Sequence, residues 1–143
     1  MPSDLTLKTM NAVHRTILKV TGGRKGWTIW DMPALELTTT GRRSGQRRTV
    51  MLTSPVQDGS SLVVVASRGG DDNAPSWYLN LCANPAVEVS LQGAPSVRMH
   101  ARVASADERA RLWPLVIADH TNYAEYQAKT RREIPLVLLE PLA

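Results

Sequence analysis

Residues 87–103 read Val-Glu-Val-Ser-Leu-Gln-Gly-Ala-Pro-Ser-Val-Arg-Met-His-Ala-Arg-Val, two alternating apolar and polar runs on either side of one turn. Alternation with a period of two is typical of a half-buried strand. Gly93, Ala94 and Pro95 supply the turn between the runs. The stretch therefore predicts a β-hairpin of two antiparallel strands.

Further strand signals lie on both sides of this hairpin, separated by short connections. Residues 62–66, Leu-Val-Val-Val-Ala, are apolar without alternation, which predicts a strand buried on both faces. Residues 34–40, 49–55 and 135–139 are also rich in strand-forming side chains. Connections of hairpin length favour an antiparallel sheet over a doubly wound parallel sheet. We expect a mixed α+β fold, in which an antiparallel sheet closes into a small barrel with flanking helices.

Helical periodicity predicts helices around the sheet. Residues 5–20 have apolar positions three and four apart and are followed by a glycine pair. That helix covers the core or, in a second interpretation, also touches a membrane or roofs a substrate site. Ser-Ala-Asp-Glu at residues 105–108 matches a capping box, which opens a helix that runs to about residue 118. Shorter helices are predicted over residues 76–82 and 123–130.

The composition bounds the function only loosely. The 143 residues carry 17 lysines and arginines against 13 acidic residues, a formal net charge of +4, and one cysteine, Cys82. The charge favours an anionic partner: nucleic acid, an acidic membrane surface or a phosphorylated cofactor. Nucleic acid is the weakest of these, since the few aromatic side chains lie mostly among apolar residues. One cysteine excludes an intrachain disulfide, and no cysteine–histidine spacing matches a metal site.

The length of the chain fits one domain, residues 1–143. The first residues lack the apolar core of a signal peptide, and no apolar run reaches the ~20 residues of a membrane span. We expect a cytoplasmic protein, monomeric or homodimeric, with peripheral membrane contact through the N-terminal helix as an alternative.

Residues 40–49, Thr-Gly-Arg-Arg-Ser-Gly-Gln-Arg-Arg-Thr, place four arginines between two predicted strands, and we call them the arginine segment. Glycine lets backbone amides approach a ligand closely, and each guanidinium offers a planar fork of donors that matches phosphate or carboxylate. The segment predicts an anion-binding loop or, alternatively, a solvated basic turn. It is neither a P-loop, since Gly-Lys-Ser/Thr is missing, nor a Rossmann fingerprint, since a strand follows it.

Two more segments are candidates for binding a flat ring. Residues 66–70, Ala-Ser-Arg-Gly-Gly, end the most apolar strand, and we call them the glycine bend. Paired glycines allow the backbone to bend and expose its amides, although an ordinary glycine turn explains the same residues. In residues 74–80, Ala-Pro-Ser-Trp-Tyr-Leu-Asn, Trp77 belongs either to a ligand-binding wall or to the core.

Residues 120–127, His-Thr-Asn-Tyr-Ala-Glu-Tyr-Gln, carry further polar aromatic groups. Tyr123 and Tyr126 are three apart and share one face of a helix, where their hydroxyls serve a substrate or simply cover the core. Neither a Ser/His/Asp triad nor a carboxylate pair can be argued from the scattered histidines and acidic residues. An anion-binding loop and a ring-sized apolar site, without a catalytic constellation, suggest a borrowed cofactor.

Four segments, in this order and spacing, resemble the deazaflavin (F420)-dependent nitroreductase family over about residues 10–141. The matching motifs are Leu-Thr-Thr-Thr-Gly-Arg-Arg-Ser-Gly-Gln-x-Arg (37–48), Val-Val-Ala-Ser-Arg-Gly-Gly (64–70), Pro-Ser-Trp-Tyr-Leu-Asn-Leu-x-Ala-Asn-Pro (75–85), and Tyr-x-x-Tyr-Gln (123–127) with Arg-x-Ile-Pro (132–135). The resemblance implies a split β-barrel of the flavin-reductase type with flanking helices. It also implies coenzyme F420, a deazaflavin with a phosphodiester and a polyglutamate tail.

The resemblance implies the residues of a site as well. Those implied to hold the phosphate and the tail are Arg42, Arg43, Ser44, Gly45, Arg47 and Arg48. Those implied to line the deazaflavin are Ala66, Ser67, Arg68, Gly69 and Gly70, with a wall of Pro75, Ser76, Trp77 and Asn80. The implied substrate-side groups are Ser67, Tyr123 and Tyr126. His120 stands where members active on bulky nitroimidazoles tend to carry tyrosine, which leaves that activity open.

The implied activity is hydride transfer from reduced F420 to a small electron-poor acceptor: a quinone, an enone or a nitro compound. Ser67, Tyr126 or His120 then stabilises the resulting anion or supplies a proton. Two alternatives remain at this point. One is a non-catalytic F420-binding or carrier protein, and the other is a split-barrel protein that binds FMN, whose single phosphate needs fewer arginines.

Overall fold

The computed structural model describes residues 28–29 and 32–142. The predicted N-terminal helix over residues 5–20 lies outside the described residues. The strands of the described part are β1 (Thr28–Ile29), β2 (Met32–Thr40), β3 (Arg47–Thr53), β4 (Val56–Asp58), β5 (Ser61–Val65), β6 (Ala86–Leu91), β7 (Val97–Val103) and β8 (Leu136–Pro141). Its helices are α1 (Ser76–Ala83), α2 (Ala106–Asp119) and α3 (Asn122–Ala128), with a 3-10 turn at Arg68–Gly70.

The hairpin that the sequence predicts is confirmed as β6 and β7, which pair antiparallel with Val87 opposite Met99. One predicted boundary is wrong: β3 begins at Arg47 and not at Thr49. Arg47 pairs with Thr40 of β2, because the tight turn between them lets the ladder continue to the turn itself. The last two arginines of the arginine segment therefore lie on a strand.

The sheet curls because its two end strands are consecutive in the chain. Along the sheet the order is β3-β2-β6-β7-β8-β5-β4, and every neighbouring pair is antiparallel. Residues 35–38 of β2 pair with both β3 and β6, so these two strands lie on opposite edges of β2. β3 and β4 are joined by Ser54 and Pro55 alone, a span so short that the ends of the sheet have to meet. The sheet is therefore antiparallel and closed on itself, as the sequence predicts.

Two apolar cores lie on the two faces of the curled sheet. The inner core gathers side chains from β2, β5, β6, β7 and β8 around Trp77 and Leu81 of α1. The outer core packs the other face of β5 and β8 against Leu112 and Val116 of α2 and Tyr123 of α3. β5 buries alternate residues in both cores, which confirms the prediction made from its unbroken apolar run.

Helix α2 begins with the predicted capping box. Glu108 N donates to Ser105 Oγ at 3.2 Å, and Ser105 N donates to Glu108 Oε1 at 2.9 Å. The Glu108 carboxylate also pairs with Arg102 of β7, which in turn pairs with Glu140 of β8. Hydrogen bonds from Arg102 and from the Ser105 backbone lower the pKa of Glu108 to about 2. The start of the helix is thus tied to two neighbouring strands.

Ser54 closes the barrel where the ends of the sheet meet. Its amide donates to Pro33 O of β2 at 3.0 Å. Its hydroxyl lies 2.8 Å from Val63 O of β5 and 2.9 Å from Val56 O of β4. Ser54 is fully buried, so water does not reach these carbonyls to replace it. One residue therefore bridges the two edges of the sheet.

Replacing Ser54 with alanine is expected to lower the free energy of unfolding by about 1–3 kcal/mol, because buried carbonyls lose a donor. Thermal and urea unfolding measure this difference. Ser90→Ala is the matched control, since Ser90 Oγ at the end of β6 donates to Ala94 O at 2.7 Å in an exposed hydrogen bond that water is able to replace. Equal destabilisation in the two variants would contradict a closing role for Ser54.

Candidate functional site

The arginine segment and the glycine bend leave the barrel at the same end. Between β2 and β5 the sheet runs through four antiparallel pairings: β2–β6, β6–β7, β7–β8 and β8–β5. An even number of reversals makes β2 and β5 point the same way, so the segments that follow them emerge on one side. Residues 131–135, which precede β8, lie on this side for the same reason. We call it the common end.

The arginine segment forms a tight turn over residues 41–46. Gly41 N donates to Gln46 O at 2.7 Å, and Gly45 N donates to Gly41 O at 2.8 Å. Gly45 has a φ of 71°, and Ser44 Oγ accepts from Gln46 N at 3.1 Å. Ser44 and Gly45, both predicted to bind an anion, thus shape the turn that presents the neighbouring arginines.

Asn80 of α1 holds the arginine segment against the barrel. Its Oδ1 accepts from Arg42 N at 3.2 Å and from Arg42 Nη1 at 2.9 Å, and its Nδ2 donates to Thr39 Oγ1 at 3.3 Å. Asn80 is 4% exposed, and Trp77 is 8% exposed within the inner core. Both residues contact other parts of the protein, so they support the arginine segment from within. That they also form a ligand-facing wall stays a prediction.

Of the other three arginines of the segment, one forms an ion pair with the protein, and two have no side-chain partner among the described residues. Arg47 Nη2 lies 2.6 Å from Glu88 Oε2 of β6, so its charge is paired with an acidic side chain at the surface of the protein. The side chains of Arg43 and Arg48 are exposed, and no hydrogen bond or ion pair with the described part of the chain engages them. These two arginines are the ones available to an anionic ligand.

Helix α1 begins without a side-chain cap from the described residues. Pro75 is its N-cap, and Pro75 O accepts two amides of the following turn at 3.1 and 3.3 Å. The amides of Ser76 and Trp77 come before these bonds and carry the positive end of the helix dipole. Ser76 is exposed and lies one helical turn before Asn80, which holds Arg42. The start of α1 therefore offers backbone donors beside the arginine segment.

The glycine bend has an unusual backbone. Arg68, Gly69 and Gly70 have φ values of 47°, 64° and 86°, all in the left-handed region. A Cβ on Gly70 would lie 2.8 Å from Tyr126 O and 3.0 Å from Tyr126 Cα. The absence of a side chain at Gly70 therefore allows close packing on α3, and its contact with a ring stays a prediction. Ala66 is also fully buried, so Arg68 and Gly69 are the more exposed part of the bend.

Arg132 has no role predicted from the sequence, although it belongs to one of the matching motifs. Its Nη2 donates to Ala66 O at 3.1 Å and to Ser67 O at 2.9 Å, and its Nε donates to Asp71 O at 2.9 Å. Desolvation by burial lowers the pKa of Arg132. Ser67, a predicted catalytic residue, is itself buried. Membership of the Arg-x-Ile-Pro motif is the only signal in the sequence for the contact between Arg132 and the glycine bend, since hydrophobic periodicity does not predict it.

Tyr123 packs into the core of the protein. It is 7% exposed in the outer core, and its hydroxyl lies 3.4 Å from Thr53 Oγ1 and 3.7 Å from Met32 Sδ. Burial raises the pKa of the Tyr123 hydroxyl. The Tyr123 hydroxyl thus has partners inside the protein, and its catalytic role stays a prediction.

Tyr126 and His120 flank the buried Tyr123 ring. Their rings lie 5.9 Å and 6.4 Å from it, and both contacts are edge to face. Both side chains are half-buried, and Lys129 Nζ lies 5.6 Å from the centre of the Tyr126 ring. Because Gly70 packs on the Tyr126 backbone, α3 brings Tyr126 next to the glycine bend. Tyr126 and His120 stay candidate substrate-side groups.

In the described part of the chain, no three histidine, cysteine or acidic side chains are grouped closely enough to hold a metal ion. The only cysteine, Cys82, is exposed on α1 and forms no disulfide. None of the helices described is long and apolar enough to cross a bilayer.

The chain is similar to known proteins over most of its length. The sequence model of the F420H(2)-dependent quinone reductase family matches residues 10–141. An F420H(2)-dependent quinone reductase of Mycobacterium tuberculosis (strain H37Rv) is 40% identical over 131 residues, which cover 89% of this chain and 87% of that protein.

Solved structures agree on the fold. An F420-H2 dependent reductase is 41% identical and superposes with a TM-score of 0.66, over 76% of this chain and 94% of that one. A second structure, a domain-swapped dimer, is 36% identical with a TM-score of 0.65, over 93% of this chain and 99% of that one. The expected split β-barrel with flanking helices is thereby confirmed.

Proposed function

The chain belongs to the F420H2-dependent quinone reductase family, and from that membership we propose that it reduces a quinone at the common end of its barrel. The family, the cofactor and the oxidoreductase activity expected from the matching motifs are confirmed. Among the acceptors considered, quinones are the class named for its relatives. Reduced F420, when bound, supplies the hydride.

The common end fits a long polyanionic cofactor, and this is the observation that carries the proposal. Arg43 and Arg48 are exposed and uncommitted within the described residues, which suits an acidic tail. The uncapped start of α1 at Ser76 suits a phosphodiester, since backbone donors and the helix dipole favour an anion there. The glycine bend leaves the barrel at the same end and suits the edge of a flat ring.

On the substrate side, a quinone that accepts a hydride becomes an anion, which a proton donor stabilises. Tyr126 is half-buried next to the bend, and half-buried His120 contacts the same Tyr123 ring, whereas the Tyr123 hydroxyl is buried. We assign proton delivery to Tyr126, because its helix packs directly on Gly70.

A turnover assay tests this function. With reduced F420 and menadione, the purified protein is expected to restore the absorbance of oxidised F420 at a rate proportional to protein concentration. Cyclohexenone and a nitroimidazole in the same assay rank the other acceptor classes. Binding of F420 without turnover of any acceptor would contradict the enzymatic function and favour a carrier of F420. If a titration monitored by tryptophan fluorescence shows binding of FMN but not of F420, the assignment of F420 as the cofactor is wrong.

The assembly belongs to the proposal as well. We propose that residues 1–143 form one F420-binding domain and that the chain forms a homodimer, which the domain-swapped dimer among similar structures supports. Membrane contact through the N-terminal helix stays a prediction, because residues 5–20 lie outside the described part.

A further inference from the structure

The Arg132 guanidinium gathers three carbonyls at both ends of the glycine bend. Ala66 O and Ser67 O accept from Nη2 at 3.1 and 2.9 Å, and Asp71 O accepts from Nε at 2.9 Å. The Arg132 side chain is half-buried behind the bend. A planar guanidinium holds its donors in a rigid fork, so one group fixes where the bend begins and where it ends.

Fixing these carbonyls also fixes the direction of the amides in the bend. A trans peptide is planar, so its N–H points opposite to its C=O, and the described residues contain no cis peptide. Because the carbonyls of Ala66 and Ser67 point toward Arg132, the amides of Ser67 and Arg68 point away from it. A cation on the oxygen side of a peptide also polarises it and strengthens its N–H as a donor. The bend thus directs its donors to the side opposite Arg132.

Arg132 is itself held by the helices. Gln127 Nε2 donates to Arg132 O at 2.8 Å, and Gln127 Oε1 accepts from Ile134 N at 2.8 Å. Arg109 of α2 donates to Gln127 Oε1 at 3.2 Å and to Ile134 O at 3.1 Å. The Tyr-x-x-Tyr-Gln and Arg-x-Ile-Pro motifs are therefore two halves of one contact.

We propose that Arg132 is a positioning residue, which fixes the glycine bend in the conformation that receives the deazaflavin ring, and that Gln127 fixes Arg132 in turn. The inference rests on the proposed function, because the bend affects the rate only if the ring binds there. Partial burial of a guanidinium costs desolvation free energy, which its hydrogen bonds have to offset. We infer that the arrangement serves to fix the direction of the amides in the bend.

Guanidinium rescue of Arg132→Ala tests the inference. The variant is expected to reduce menadione on the order of 10²-fold more slowly, because displacement by about 1 Å in a reacting complex costs that much. Millimolar guanidinium chloride is expected to restore much of the rate, and the same concentration of NaCl none of it. Arg131→Ala is the charge-matched control, since Arg131 is exposed and adjacent. The salt dependence of F420 affinity is expected to stay that of the wild type, because the arginine segment sets it.

Arg132→Lys keeps the inference testable if Arg132→Ala fails to fold. The ammonium keeps the charge but not the fork, so we expect slow turnover with an unfolding temperature near that of the wild type. A wild-type rate in a folded Arg132 variant would overturn the positioning role and leave the proposed function intact. A wild-type protein that neither binds nor oxidises reduced F420 would overturn both.

Discussion

Replacing Gly70 with alanine is expected to lower the free energy of unfolding by roughly 2–4 kcal/mol. The added Cβ would lie 2.8 Å from Tyr126 O and 3.0 Å from Tyr126 Cα, which are backbone atoms and cannot rotate away. Overpacking of this kind costs about 1–3 kcal/mol, and a side chain at a φ of 86° adds about 1 kcal/mol. At roughly 3 °C per kcal/mol, thermal unfolding monitored by circular dichroism should shift down by about 6–12 °C.

Gly59→Ala is the matched control for the steric part of this effect. Gly59 has a φ of 62°, but nothing lies within 4 Å of a Cβ placed on it. Its replacement by alanine is therefore expected to cost only the backbone strain, about 1 kcal/mol. If both variants melt at the same temperature, the contact between the glycine bend and α3 is looser than described.

The Gly70→Ala substitution is also expected to weaken F420 binding at temperatures where the variant is folded. The bend has to move away from Tyr126 to accept the Cβ, and the carbonyls bound by Arg132 move with it. Gly59 lies in the turn between β4 and β5, so the Gly59→Ala variant should bind F420 as the wild type does. Unchanged affinity in a destabilised Gly70→Ala protein would place the ring away from the bend.

The parts of the fold that the sequence predicts well are those stabilised by contacts close in sequence. The β6–β7 hairpin and its turn lie within residues 87–103, so one alternating pattern contains both partners. The capping box at Ser105 and Glu108 likewise closes within four residues. Barrel closure at Ser54 is different, because the hydrogen-bond partners of Ser54 lie on three strands and no local sequence pattern predicts them.

The sequence predicts which residues belong to the candidate site. Whether each side chain is available to a ligand or is bound by the protein depends on partners that are distant in the sequence. Arg42 is bound by Asn80 of α1, and Arg47 is balanced by Glu88 of β6. A cluster of arginines in the sequence does not show which of them have such partners and which, like Arg43 and Arg48, have none among the described residues. Similarly, the spacing of two tyrosines predicts a shared helix face, but the docking of α3 decides that Tyr123 turns inward.

The double substitution Arg43→Gln and Arg48→Gln is expected to weaken F420 affinity by about 10–100-fold at low salt. Each exposed guanidinium bound to an acidic tail contributes about 0.7–1.4 kcal/mol, because solvent screens part of the attraction. Together they contribute about 1.4–2.8 kcal/mol, and each 1.4 kcal/mol is a factor of ten in the dissociation constant. Fluorescence titration with oxidised F420 measures the change.

Salt dependence separates this electrostatic role from a change in the shape of the site. Screening weakens exposed charge pairs, so wild-type affinity should fall as salt rises, whereas the Arg43→Gln, Arg48→Gln variant should respond much less. The control removes the ion pair Arg47–Glu88 with glutamine at both positions, which leaves the net charge unchanged. Its affinity should stay within about twofold of the wild type, since paired charges contribute little to an external anion. A double Arg43, Arg48 variant that keeps both the affinity and the salt response of the wild type would mean that the acidic tail binds elsewhere on the barrel.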